Sequence, residues 1–169
     1  MPRLLLIVLA VLALSACATV QRYDAAQDVH NLLVAIRDND RAAFDRHVDR
    51  RALKRQLEAR LIDETQGSGA PSLLQGLGIT LAEPVSALAG ELLIQPRVFR
   101  WVAEYYGYRR TDPIPGAAAI SPALRPIGGG RVCAIADRGG PCVLVFSRVD
   151  GVWKLTGFEG EISMLRARP

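Results

Sequence analysis

Asp150-Gly151, set between Val149 and Val152, is the feature that most narrows what this chain can fold into. An Asp-Gly pair between two β-rich runs predicts a two-residue hairpin, because both central residues of the favoured turn need positive φ. Such a loop fixes the register: Ser147 faces Lys154, Phe146 faces Leu155, and Arg148 lies beside Trp153. Leu144, Phe146, Trp153 and Leu155 then share one face, which needs an apolar partner layer. A further strand is expected over Arg131–Ala136, joined to Cys142–Val149 by a turn at Asp137-Arg138-Gly139-Gly140.

The partner layer is supplied by the first half of the chain. Ala25, Val29, Leu32, Leu33 and Ile36 recur at helical spacing, with Asp24 and Asp28 read as acids near a helix N-terminus. Asp38-Asn39-Asp40 interrupts that pattern. A short helix follows over Ala42–Val48, and Asp49 caps a third whose Leu53, Leu57 and Leu61 form one stripe. Gly67 to Pro71 reads as a loop, and residues 72–93 as short helical turns. Pro96 opens a helix that runs to about Tyr106 and stops at Gly107. Helices followed by an antiparallel meander define an α+β domain, a curved sheet packed on helices.

The N-terminus carries a different message. Arg3 precedes an unbroken apolar run from Leu4 to Leu14, too short for a bilayer-spanning helix of about 20 residues. Leu14-Ser15-Ala16-Cys17 follows, and this tetrapeptide resembles the lipobox of bacterial lipoproteins. The resemblance implies a signal peptide over 1–16 and a diacylglycerol thioether, with palmitate-type acylation, on Cys17. It also implies residence in the bacterial envelope. Ala18 in second place, rather than a retaining Asp, implies the outer membrane facing the periplasm. Ala16-Cys17-Ala18 also fits the small-x-small pattern of ordinary cleavage after Ala18, the lesser of the two readings because the cysteine falls where a lipobox requires it. Cysteine arithmetic agrees with lipidation: of three cysteines, lipidated Cys17 leaves Cys133 and Cys142 as an even pair in an oxidising compartment.

Removing residues 1–16 from the 169 leaves 153 and takes the formal charge from +4 to +3. Residues 17–23 are then a lipidated end and short tether, whose six residues 18–23 reach at most about 20 Å if extended. Residues 24–162 form the single domain and 163–169 a tail.

Ala42-Ala43-Phe44 leading to His47-Val48-Asp49, with Ala52-Leu53 and Leu57, resembles the opening of a bacterial family known as domain of unknown function 2939. Glu91-Leu92-Leu93, Gln95-Pro96-Arg97, Phe146-Ser147-Arg148 and Trp153-Lys154-Leu155 resemble its later blocks. The order of helices and sheet is also similar to cone-shaped folds of the nuclear transport factor type. Neither resemblance implies catalytic residues.

Sites of chemistry are sparse. His30 and His47 are 17 positions apart with no Cys-x-x-Cys, so neither a metal nor a cofactor is expected. Asp38, Asp40 and Asp49 match three calcium-loop positions, but Ala42 and Ala43 replace a ligand and the required glycine; the acids read as turn formers and caps. His47 lies between Asp45 and Asp49, either a polarised base or a solvated helix-end residue. No Gly-x-Ser-x-Gly elbow occurs, and the expectation is a protein that is not an enzyme. Ile127 to Gly130 reads as a turn, since Arg131 continues as strand rather than helix. Cys133 and Cys142 form a structural disulfide if the register sets them nearly opposite, whereas a bulged loop at Gly139 would offset them and leave them reduced.

Two surfaces stand above this background. Between Arg97 and Arg110 five of the ten aromatics (Phe99, Trp101, Tyr105, Tyr106 and Tyr108) mix with four arginines. Val98, Trp101, Val102 and Tyr105 form the expected core stripe, leaving Arg100, Tyr106 and Tyr108 as candidate ligand contacts. Residues 41–60 hold seven basic against three acidic side chains, and Arg50, Arg51, Lys54 and Arg55 are candidates to face anionic head groups. The expected role is structural or interactive at the membrane, with an envelope protein as partner. The alternative is a small apolar or lipid-like ligand held between curved sheet and helices. Nucleic acid is not expected in that compartment.

Overall fold

The computed structural model describes residues 2–67, 93–105, 107–136 and 139–159, with side chains from residue 19 onward apart from 58 and 60–67. The turns expected within 72–93, Tyr106 and the 163–169 tail lie outside the described residues, 93 excepted. Helix α1 spans Pro2–Asp38, α2 Arg41–Arg46, α3 Arg50–Gly67 and α4 Pro96–Tyr105. A short α5, Ala117–Ile120, and a 3-10 turn, Ser121–Ala123, lead into the strands β1 (Leu124–Gly128), β2 (Arg131–Ile135), β3 (Cys142–Val149) and β4 (Val152–Phe158). The strands form one open antiparallel sheet in the order β1-β2-β3-β4. The architecture is the expected α+β.

Residues 18–23, expected as an extendable tether, are helical and continuous with α1. At 1.5 Å of rise per residue they span about 9 Å rather than 20 Å. The helix ends where the sequence breaks. Asn39 adopts positive φ (56°), its N–H donates to the Ile36 carbonyl, and the Asp40 N–H donates to the Ala35 carbonyl. This pairing closes the last turn of a helix with a left-handed residue. Asp40 then caps α2 through the Ala43 N–H, and Asp49 caps α3 through the Ala52 N–H, both at 2.9 Å. Gly107 (φ 91°) ends α4 in the same manner as Asn39 ends α1.

The core lies between α1 and one face of the sheet. Ala25, Ala26, Val29, Leu32 and Ala35 of α1 pack with Phe44, Val48, Leu53, Leu124, Val132, Phe146, Trp153 and Leu155. The alanines keep that face of α1 flat, so α1 and the sheet approach closely. Phe44 and Phe99 meet edge to face at 5.3 Å, joining α2 to α4.

The hairpin has the expected register: Phe146 pairs Leu155, Ser147 pairs Lys154, and Arg148 pairs Trp153. Asp150 and Gly151 take φ of 53° and 81°. Beyond Leu155 the register shifts by one at Thr156, whose hydroxyl is held by the Ser147 hydroxyl (2.8 Å) and the Val145 carbonyl (3.3 Å). Gly128, Gly129 and Gly130 all have positive φ and make the β1–β2 turn.

Candidate functional site: the polar joint between α1 and β4

Trp153 is buried near the start of β4, as its second residue, and two acids one turn apart on α1 receive its polar groups. Its main-chain N–H donates to Asp28 Oδ2 (2.8 Å), and its indole Nε1–H donates to Asp24 Oδ2 (2.9 Å). Arg148 Nη1 lies 3.3 Å from the same Asp24 oxygen. Asp24 and Asp28 therefore sit in mid-helix as acceptors for the sheet, not at a helix N-terminus as their spacing predicted. The sequence signal that could have found them is the pair of i, i+4 acids on the same side as a small-residue apolar face.

His47 closes the joint from the other side. Only 8% exposed, it places Nδ1 3.6 Å from Asp28 Oδ1, and that buried nitrogen has no hydrogen-bond partner. Its partner is thus Asp28, 19 positions away, not the flanking Asp45 or Asp49. Burial holds the His47 pKa below its ordinary value, and the positive charges of Arg46 and Lys154 act in the same direction. Asp28 and the polar main chain of Trp153 nearby oppose them. The His47 carbonyl accepts the Leu155 N–H (2.8 Å), the Asp49 N–H donates to the Leu155 carbonyl (2.9 Å), and Val48 bridges Leu155 in parallel. His47 does stand at a helix end, as the C-cap of α2, but it is buried rather than solvated.

A cleft of about 430 Å³ opens between α1 and α2, bordered by Asn31, Val34, Asp38, Asp40, Arg46 and His47. It differs in place and in lining from the apolar pocket expected between sheet and helices. Asp38 is engaged by Arg37 at 2.8 Å, an interaction that lowers its pKa. Asp40 and Asp49 serve as helix caps, and Asp38 closes α1 with its carboxylate on Arg37. Among the described residues no group of three or more His, Cys, Asp or Glu could hold a metal ion. His30 is drawn into a different contact, its Nδ1–H donating to the Pro115 carbonyl (2.8 Å).

Cys133 and Cys142 form a disulfide with Cα atoms 5.6 Å apart. They are not opposite one another. Cys133 pairs Val145 while Cys142 pairs Ile135, and the register shifts between Ala134 and Ile135. The expectation that an offset pair stays reduced is corrected here: the shift keeps both on the face away from α1, as diagonal neighbours beside Val145, Ile127 and Ile135.

The aromatic stripe of α4 is also corrected. Trp101 and Tyr105 are 59% and 61% exposed and stack on each other at 6.3 Å. Pro96 and Phe99 face inward instead, because Phe99 must reach Phe44. Arg100, expected at a ligand, is turned onto the C-terminal carbonyl of Arg37 (3.4 Å) with Glu104 beside it (3.8 Å). The Tyr108 hydroxyl donates to the Asp112 carbonyl at 3.5 Å. Of the basic set, Arg50 is turned to Asp45 (2.6 Å) and over the Phe44 ring (5.9 Å). Arg51 and Arg55 are exposed, and Lys54 is half-buried.

The described residues thus define a small α+β domain whose open sheet is pinned to its longest helix through a part-buried polar joint. A family model described as protein of unknown function (DUF2939) matches residues 5–101, and the chain belongs to that family. No curated protein and no solved structure matches the chain. Among residues described with side chains, no helix is long and apolar enough to cross a membrane.

Proposed function

We propose that this protein is a lipid-anchored lipoprotein of the bacterial envelope, fixed through Cys17 to the outer membrane and facing the periplasm, with a structural or interaction role. The observation that carries the reading is the lipobox-like Leu14-Ser15-Ala16-Cys17, whose Leu14 ends an 11-residue apolar run. The core supports it. Among the residues described with side chains, the first buried one, Ala25, follows Cys17 by eight positions on the same helix, about 12 Å of helical rise. An acyl group at Cys17 would therefore hold the domain against the head groups through a stiff connection. The exposed Arg51 and Arg55 carry charge suited to an anionic surface.

The test is Cys17→Ala in the native host. Wild type incorporates labelled palmitate and fractionates with membranes, and the variant loses both. Intact mass showing a mature chain beginning at Thr19 without a fatty adduct overturns the reading.

A further inference from the structure

We propose that His47 is a proton-operated latch: protonation of its ring releases β4 from α1 and from the α2–α3 connection. The geometry gathers three attachments of β4 on Asp28, His47 and Asp49, two of them on His47 and the Asp28 that faces its ring. Asp28 holds the Trp153 N–H with one carboxylate oxygen and faces the His47 ring with the other. The His47 carbonyl holds the Leu155 N–H, and two residues on, the Asp49 N–H holds the Leu155 carbonyl. These bonds occupy the outer edge of β4, so what moves His47 unfastens the sheet from its helical support.

The charges around the ring decide what a proton does there. From α1, Asp28 attracts a charged ring at 3.6 Å, while Asp24 is already occupied by the Trp153 indole and by Arg148 of β3. From α2, Arg46 repels it, and from β4, Lys154 does the same. Asp49, on the connection, is occupied by the Ala52 N–H. One carboxylate, itself bound to Trp153, therefore faces a ring whose side chain is 10% exposed, with two cations acting against it. A cation that poorly hydrated is unfavourable unless it gains water. The water is close, because His47 borders the cleft between α1 and α2. A protonated ring moves toward that cleft and carries its own carbonyl away from Leu155.

The experiment follows the full chain in detergent micelles by NMR between pH 7.5 and 5. The His47 ring titration is compared with amide exchange at Trp153 and Leu155, corrected for intrinsic rates. Protection at both amides is expected to fall with the midpoint of the His47 ring, by up to about tenfold per pH unit of difference between folded and unfolded midpoints. His47→Gln, neutral at every pH, should abolish the response. Protection that stays constant, follows another midpoint, or responds equally in His47→Gln overturns the latch. Should His47→Gln fail to fold, the coincidence of midpoints in the unaltered protein decides. Lipid anchoring is not needed for either result.

Discussion

Gln56 and Phe158 are joined by a reciprocal pair of hydrogen bonds: the Gln56 Nε2 donates to the Phe158 carbonyl (2.6 Å) and Gln56 Oε1 accepts the Phe158 N–H (2.9 Å). A side-chain amide here takes the place of a neighbouring strand. Together with Asp28 at Trp153, and with His47 and Asp49 at Leu155, it covers the outer edge of β4. Edge strands left open invite pairing with other chains, and this one is closed by residues of α1, the α2–α3 connection and α3. Gln56→Ala is expected to lower stability by about 1–2 kcal/mol, since both main-chain groups lose their partner. Gly157 extends the test. A Cβ there would stand 3.0 Å from Gln56 Oε1. Gly157→Ala should therefore destabilise by displacing the amide, and add less than its single effect when combined with Gln56→Ala. Urea melts of the four proteins measure this, and strict additivity would contradict it.

The two bonds from Trp153 to α1 are separable by substitution. Trp153→Phe keeps the main-chain bond to Asp28 and loses the indole bond to Asp24 along with part of a buried ring, at about 2 kcal/mol. Asp28→Ala leaves the Trp153 N–H without its acceptor, at about 1–3 kcal/mol. Asp28→Asn keeps an acceptor oxygen and should lose less. Equal losses for the Ala and Asn variants, measured by urea midpoint, would show that the carboxylate only fills space.

The local periodicities made α2, α3, α4 and the stretch of α1 after Asp24 legible, with the Asp49 cap and the β3–β4 register, because each depends on residues within a few positions of one another. Asp150-Gly151 specified Phe146 opposite Leu155 without knowledge of the rest of the chain. The joint was not legible for the opposite reason. Asp28 meets Trp153 across 125 positions and Gln56 meets Phe158 across 102, and no local pattern encodes such pairings. His47 drew attention through Asp45 and Asp49, yet its partner comes from another helix. The α4 stripe misled because Trp101 and Tyr105 satisfy helical spacing as well as Phe99 does. Only the position of Phe44 decides which side turns inward.

The disulfide closes a small loop, with its cysteines nine positions apart. Loss of the crosslink is expected to lower stability by about 2–3 kcal/mol through the greater freedom of the unfolded chain. Cys133→Ser with Cys142→Ser, compared with the oxidised protein in urea, measures the effect. Thiol titration of protein exported by its host should find neither sulfur free, and two reactive thiols would show that the bond does not form there.

Global stability should depend on pH through the same histidine that fastens the joint. The pKa of His47 lies below its ordinary value of 6.5 because it is buried, so the unfolded chain binds the proton more readily than the folded one. The stabilisation is fully present above 6.5, and it is lost as pH falls from there toward the folded value, below which the dependence flattens. Asp38, held below its ordinary 3.8 by Arg37, acts in the same direction only at much lower pH, and its exposure to solvent makes its effect small. Urea midpoints between pH 7.5 and 5.5 therefore isolate His47: they should decline with acidification in wild type, and the part of the decline assigned to His47 should vanish in His47→Gln. A midpoint that rises on acidification would mean that the attraction of Asp28 outweighs burial, reversing the sign of the effect.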